Sequence, residues 1–320
     1  MVEERPYLAA PAAVNHDLWF APMGIKLRLL TNSDEVAAAA HASFSIYGEQ
    51  APEGAPDFCL RLFEHDIDDG VLGNPLFRIE GPLVYQTTGR DSVLIIDRNS
   101  RSGFGYFSST TLANQAFFRW HFLDFAVYFA LEWRGFIGVH GAAICKDGQA
   151  LLLRAPSGHG KTTLAYAAAR RRFQALAEDA VWIDVSGGRW WGLPSPFHML
   201  ADARTLFPEL AHLPAAAQIN GEVKLAVDLQ KMRPGCTATC APPGRVVLLE
   251  RAPGGISSLS PCDPDIAYNS WLAGAAIKEA QALGYEAAIR DLLANGAFTL
   301  RFGDDIEAAL DLLEPLFDQT

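Results

Sequence analysis

The sequence predicts an α/β chain. A mixed sheet with flanking helices is expected over residues 111–320, preceded by a small α+β or mostly β domain over 19–110 and a loose arm over 1–18. Three observations carry that reading. An apolar run over 150–153 leads into the glycine-bearing loop Ala155-Pro156-Ser157-Gly158-His159-Gly160, and a helical Ala/Arg segment over 162–172 follows it. Upstream, short strand-like runs alternate with Gly, Pro and Asp turns and carry no motif with chemistry. Half of the 320 residues are apolar and 20% are charged, which suits one large core or two ordinary ones and excludes a disordered chain.

The elements follow in order. Residues 1 to about 18 are rich in Ala and Pro, hence the arm. Strand character begins at Trp19, and 25–29 alternates at period two. Asn32-Ser33-Asp34 caps a short helix through the alanines at 37–40. Strands are expected at 58–63, 76–80, 83–87 and 92–97. Residues 112–133 have the apolar density and length of one long buried helix ending near Gly135. A strand over 136–144 then turns at Lys146-Asp147-Gly148 into the buried strand at 150–153. A strand at 173–177 leads to Glu178-Asp179, and 181–185 opens a hairpin through Gly187-Gly188. Further strands are expected at 223–229 and 246–250, with helices at 266–272, 275–283, 285–293 and 306–317.

Charge and cysteines narrow the function. With 26 Lys and Arg against 37 Asp and Glu, the net charge of −11 argues against a nucleic-acid partner and favours a basic or neutral one. Five cysteines, at 59, 145, 236, 240 and 262, fit no disulfide framework or zinc pattern, and the pair Cys236 and Cys240 is incidental. The start, Met1-Val2-Glu3-Glu4-Arg5-Pro6, lacks an apolar targeting core. The most apolar stretch, 121–144, is interrupted by Asp124, Glu132 and Arg134 and reads as a buried helix and strand. A cytoplasmic protein with no membrane partner is expected.

The loop carries the strongest signal. Ala155 to Thr163 matches the Walker A pattern G-x-x-x-x-G-K-[ST], with Ala155 at the first glycine position. Gly158 and Gly160 remove side chains where backbone N–H groups must approach phosphate oxygens. Lys161 supplies a point charge, and the Thr162 hydroxyl can reach Mg²⁺. Ser157, His159 and Thr163 complete the expected nucleotide-binding set, with His159 in a variable position of the loop. The helix that follows adds its positive N-terminal dipole.

The neighbours decide what such a loop does. His140-Gly141 precedes it on a strand, and Glu178-Asp179 ends the strand after its helix. Adjacent acids leaving an apolar strand at the phosphate edge permit one on a metal and one on an attacking hydroxyl. They also fit an ordinary strand-end turn, and His140 fits a satisfied core histidine. With Val139-His140-Gly141, the Walker A run and Leu176-Ala177-Glu178-Asp179-Ala180-Val181 together, residues 139–184 resemble the HPr kinase/phosphorylase family, and more narrowly its HPr-kinase-related kinases.

The resemblance implies an HPr-kinase-type fold, ATP and Mg²⁺. Lys161 and Thr162 would lie on the phosphates and metal, Glu178 would be the base that orients a seryl hydroxyl with His140 hydrogen-bonded near it, and Asp179 would be the metal-side carboxylate. Two departures stand out: Glu178 replaces the first of the family's paired aspartates, and Trp191-Gly192-Leu193-Pro194 stands where the segment linked to the phosphorylase reaction is expected. The resemblance therefore implies an ATP-dependent serine kinase acting on a peptide or protein, with lasso-type precursor peptides among the acceptors, and it allows a homo-oligomer. A non-transferring ATP-binding scaffold, and a kinase of a carrier protein or small molecule, are the alternatives. Glu250 and Gly303-Asp304-Asp305 read as structural, and Asp184 competes for the metal role but fits a hairpin turn better; Lys224 and Arg204 are candidate phosphate or transition-state cations that in loops are usually solvated, and Trp190-Trp191 is a candidate cover for the adenine or flank for the acceptor.

Overall fold

The computed structural model describes residues 13–48, 54–68, 70–194, 196–218, 221–273 and 284–317. The chain divides into two compact units, Met1–Arg134 and Gly135–Thr320. Among the described residues no helix is long and apolar enough to cross a membrane, and all five cysteines are free thiols.

The first unit is α+β. Its strands are β1 (His16–Phe20), β2 (Leu27–Thr31), β3 (Phe58–Glu64), β4 (Leu76–Glu80), β5 (Leu83–Thr88), β6 (Ser92–Asp97) and β7 (Ser102–Phe107). They form one sheet in the order β1-β2-β3-β7-β6-β5-β4, parallel across β2–β3 and β3–β7 and antiparallel elsewhere. Period-two patterning puts Val84, Gln86 and Thr88 of β5 and Ser92, Leu94 and Ile96 of β6 in the buried set. Helix α1 (Asp34–Phe44) starts where the Ser33 side chain accepts the Val36 N–H, with Asp34 and Glu35 complementing the dipole.

The apolar segment expected as one helix over 112–133 is instead α2 (Ser109–Ala113), α3 (Gln115–Phe118), a widened π-type turn over Arg119–Asp124 and α4 (Phe125–Trp133). Asn114 breaks it: its backbone is non-helical at φ −88°, ψ 76°, and its side chain recaps by accepting the Phe117 N–H. This segment belongs to the first unit and not to the phosphate-loop domain, because Phe107 of β7 packs edge-on against Phe118 and Phe122 at 4.9 Å. The end of the expected arm is strand β1, while residues 1–12 lie outside the described residues.

The second unit breaks its first expected strand in two. Residues 136–140 form β8 (Phe136–His140) and residues 142–146 form β9 (Ala142–Lys146), in different sheets. Gly141 makes the switch: a Cβ there would sit 3.1 Å from both Leu152 Cδ1 and the Leu153 carbonyl oxygen. β9 turns through Asp147 (φ 50°) and Gly148 (φ 82°) into β10 (Gln149–Arg154), the left-handed pair that a tight hairpin requires.

The remaining strands are β11 (Gln174–Ala177), β12 (Ala180–Asp184), β13 (Arg189–Gly192), β14 (Phe197–Leu200), β15 (Ala215–Ala217), β16 (Val223–Val227), β17 (Cys240–Ala241), β18 (Arg245–Arg251), β19 (Ser258–Cys262) and β20 (Ala297–Phe302). Three sheets result: β11-β9-β10-β18-β20-β19, β17-β13-β12-β8 and β14-β16-β15. The largest is mixed, with β10, β18 and β20 parallel. Its faces enter two cores. Leu151 and Leu153 join helix α5 (Lys161–Arg170) in one, and Ala150 and Leu152 join Trp271, Tyr285 and Ile289 in the other. The helix expected at 275–283 lies outside the described residues. The last one ends at Leu313 and tightens into a 3₁₀ turn, Glu314–Phe317.

Candidate nucleotide-binding and phosphotransfer site

The loop between β10 and α5 has the shape that its residues call for. Gly158 (φ 78°) and Gly160 (φ 87°) are left-handed, and Gly160 caps α5. Ala155 is not among the left-handed residues, so alanine serves where the pattern has glycine. Lys161 opens α5 with only 5% of its surface exposed, and its Nζ donates to the carbonyls of Ala155 (2.9 Å) and Pro156 (3.2 Å). Thr162 and Thr163 follow in the first helical turn, half-buried, where backbone N–H groups lack intrahelical acceptors. Ser157 and His159 are exposed at the tip, with His159 Nδ1 3.0 Å from the Ser157 carbonyl. The seven loop positions expected from the sequence thus form one cradle.

Gly160 is also a close approach. A Cβ at this position would lie 2.8 Å from Cζ of Phe302, a buried ring at the end of β20. Arg251 lies over that ring at 4.8 Å and pairs with Asp304 at 3.2 Å. The cradle therefore rests on the parallel core of the sheet.

The acid pair splits in a way the sequence reading missed. β12 pairs with β8 with Ala180 opposite His140, and the Gly141 N–H donates to the Asp179 carbonyl at 2.9 Å. That register sets Asp179 beside His140, with Oδ1 3.2 Å from Nδ1. Glu178, the preceding residue, projects elsewhere, as successive residues at a strand end do. Its carboxylate is largely buried, accepts the His198 backbone N–H and lies 3.4 Å from His198 Nδ1. The expected pairing of His140 with Glu178 is therefore replaced by two pairs, His140–Asp179 and His198–Glu178.

Electrostatics ties one pair to the loop. Burial pulls the Lys161 ammonium below its ordinary range, Asp179 opposes that pull, and Arg154 adds to it. Arg154 ends β10 at 2% exposure, donates to the carbonyls of His140 and Trp271, and stacks 4.8 Å over the Trp271 ring. It fastens the end of β8 to the strand that feeds the loop.

Neither His198 nor Arg154 was singled out from sequence. His198 had no signal beyond an apolar neighbour on each side. Arg154 did: an arginine closing the run Leu151-Leu152-Leu153 must be either buried or misplaced in that strand.

The other candidates have partners within the fold. Lys224 pairs with Glu222 at 2.9 Å, and Arg204 donates to the Leu213 carbonyl at 2.6 Å. Asp184 accepts the Ser186 and Gly187 N–H groups in the hairpin turn, and Asp305 caps the last helix. Trp190 is 1% exposed and belongs to the core, while Trp191 beside it is half-buried.

The donor set fits a nucleoside triphosphate with Mg²⁺. The glycine cradle leaves space where backbone must meet oxygen, Lys161 carries a cation, and Thr162 and Asp179 carry the hard oxygen atoms that would hold the metal. Among the described residues no three His, Cys, Asp or Glu side chains are arranged to hold a metal. Mg²⁺ in phosphate sites characteristically takes one or two protein ligands and completes its octahedron with phosphate and water.

No protein-family model matches this chain, and no curated protein matches it. Among solved structures the chain is similar to the Hpr(Ser) kinase/phosphatase from Coxiella burnetii, with 10% sequence identity, over 56% of this chain and 94% of that one, at a TM-score of 0.29.

Proposed function

We propose that the unit Gly135–Thr320 is an ATP- and Mg²⁺-dependent kinase of the HPr-kinase type that transfers the γ-phosphoryl group to a serine hydroxyl of a peptide or protein. In its narrowest form the acceptor is a lasso-type precursor peptide. The observation that carries the reading is the Lys161 cradle facing the His140–Asp179 pair, with a second, buried carboxylate at Glu178. The run over 139–184 that resembles the HPr-kinase-related kinases supplies these residues in the family's order, with glutamate at 178 in place of aspartate.

The loop amides and Lys161 would bind and orient the phosphates, and Thr162 and Asp179 would hold Mg²⁺, which when bound would supply charge neutralisation. Glu178 accepts the proton of the acceptor hydroxyl, its carboxylate fixed by His198. Because phosphoryl transfer has a loose transition state, positioning and charge neutralisation outweigh proton abstraction. The 3.2 Å contact of His140 with Asp179 favours a second assignment, in which that imidazole, oriented by its carboxylate, takes the proton.

Intact-mass spectrometry of candidate acceptors with ATP and Mg²⁺ tests the proposal, with Lys161→Ala as control. One added phosphate on serine, lost in the variant, supports it. ATP binding with no phosphorylated product from peptides, carrier proteins or small molecules turns the reading to a scaffold.

A further inference from the structure

The first unit holds a cavity of about 330 Å³, at the small end of the range that takes small-molecule ligands (about 300–1,000 Å³). Ile25, Phe58 and Ala130, all buried, give it an apolar floor, and the half-buried Trp133 at the end of α4 adds an aromatic surface. The rest of the lining is polar and mostly cationic: Arg98, Asn99, Arg101 and Arg134 against the single acid Asp57.

The acids at this place are already engaged. Asp57 Oδ1 accepts from Arg134 Nη1 at 2.9 Å and Oδ2 accepts the Lys26 backbone N–H at 2.9 Å, so Arg134 cancels its charge. Asp97 is taken up by the β6–β7 turn, where it accepts the N–H groups of Asn99 (2.9 Å) and Ser100 (3.3 Å). Among the described residues, neither the Arg98 nor the Arg101 side chain has an ion pair or a hydrogen bond. Elsewhere in a chain with 37 acids and 26 bases, arginines such as Arg28, Arg78, Arg171 and Arg290 each meet a carboxylate. The backbone points the same way. Arg101 is left-handed, at φ 51°, where glycine or asparagine fits at lower cost. Its carbonyl accepts the Cys59 N–H at 3.1 Å, which ties the turn to β3 and fixes where both arginines leave it.

We propose that this cavity binds a compact organic anion, a carboxylate or a phosphate monoester carried on an aromatic body. Guanidinium forks match the oxygens of either group, Asn99 can add an N–H, and the apolar floor with Trp133 takes the body. The net charge of −11 does not oppose this, because its field is screened beyond about 8 Å at physiological salt, whereas the two arginines act at contact.

The test uses the full chain without nucleotide, in ligand-detected NMR titrations with three probes: N-acetyl-phenylalanine, its neutral amide and phenyl phosphate. At least one of the two anions should bind about tenfold tighter than the amide, the effect of one charge-assisted hydrogen bond. Tighter binding of N-acetyl-phenylalanine assigns the cavity to carboxylic acids, and tighter binding of phenyl phosphate assigns it to phosphate monoesters. Arg98→Gln and Arg101→Asn should each weaken the anion by about five- to tenfold and leave the amide unchanged. Asparagine suits the left-handed backbone, so Arg101→Asn should melt no lower than the native chain. Asp57→Asn keeps an acceptor for the Lys26 N–H and frees Arg134, and should tighten the anion by about threefold or more. The preference for the anion should persist in Lys161→Ala, which separates this cavity from the phosphate loop and the outcome from the phosphotransfer reading. No binding of either anion, equal binding of the amide, a preference that survives both arginine substitutions or vanishes with Lys161→Ala, or a lower melting temperature for Arg101→Asn would each overturn the inference.

Discussion

Gly160→Ala isolates what the phosphate cradle requires of its backbone, with Gly158→Ala as its internal reference. Both glycines are left-handed, at φ 87° and 78°, so alanine at either position carries a backbone cost of about 1–2 kcal/mol. They differ in their surroundings. A Cβ at Gly158 meets nothing within 4 Å, whereas at Gly160 it lies 2.8 Å from Phe302 Cζ and 3.4 Å from Cε2. Phe302 is 1% exposed and held under Arg251, so its ring cannot swing clear, and overpacking of this kind adds about 1–3 kcal/mol. The empty loop can relax out of that strain, but nucleotide binding must restore it, so the cost appears in affinity. At about 1.4 kcal/mol per tenfold, Gly158→Ala should lose about five- to thirtyfold in ATP affinity, and Gly160→Ala about tenfold or more beyond that. Calorimetric titration with ATP and Mg²⁺ measures both. Phe302→Leu in the Gly160→Ala background should recover much of the extra loss. Variants that agree within twofold, or a gap indifferent to Phe302→Leu, would refute the steric account.

Three further expectations bear on the site and on the first unit. Asp179→Asn should raise the Mg²⁺ concentration needed for half-maximal turnover by about tenfold, and an unchanged Mg²⁺ titration would remove Asp179 from the metal. His198→Ala removes the imidazole from Glu178 while keeping the backbone N–H that holds its carboxylate, and should slow single-turnover transfer by about tenfold while ATP affinity stays within twofold; a normal rate would pass the proton to His140 instead. Asp124 has its pKa raised to about 6 by burial, against the opposing pull of Arg119 and Ser43. An acid raised in the folded state contributes stability that is complete below about pH 4 and lost as pH rises through about 6. Asp124→Asn should therefore match the native chain at acid pH and exceed its stability above pH 6 by up to about 3 kcal/mol, read from urea melts across that range.

Sequence and structure agree best where one local cause acts alone. The cradle was legible because its glycines, lysine and helix start are contiguous and each answers to phosphate chemistry. Strand β10 was legible because both its faces are buried and the run is wholly apolar. What escaped depended on partners distant in sequence. Nothing in 136–144 announces that Gly141 hands the chain from one sheet to another, because the reason is Leu152 and Leu153 pressing on it. The apolar segment over 112–133 reads as one helix because apolar density does not reveal a break at Asn114. It reads as part of the second domain because composition does not say which sheet Phe118 and Phe122 will cover. The partner of Glu178 was equally hidden, since β14 lies twenty residues on and carries no motif.

The division of labour proposed for the two acids follows from these register effects more than from the acids themselves. Asp179 is fixed by a main-chain hydrogen bond to Gly141, the residue whose lack of a side chain lets β9 begin. The strand switch that brings β9 beside β10 thus also fixes the carboxylate beside His140 and within the field of Lys161. Glu178, one residue earlier, is left facing β14, where the longer side chain of glutamate reaches the His198 N–H. On the other side of the cradle, Arg154 and Lys161 are both buried cations, while Asp179 remains largely exposed to water. Desolvated positive charge facing a solvated carboxylate leaves the loop short of negative charge. Under the proposed function a polyphosphate would supply it, and among the described residues of this unit the most buried charges, Arg154 and Lys161, flank the loop whose glycines leave backbone open to oxygen.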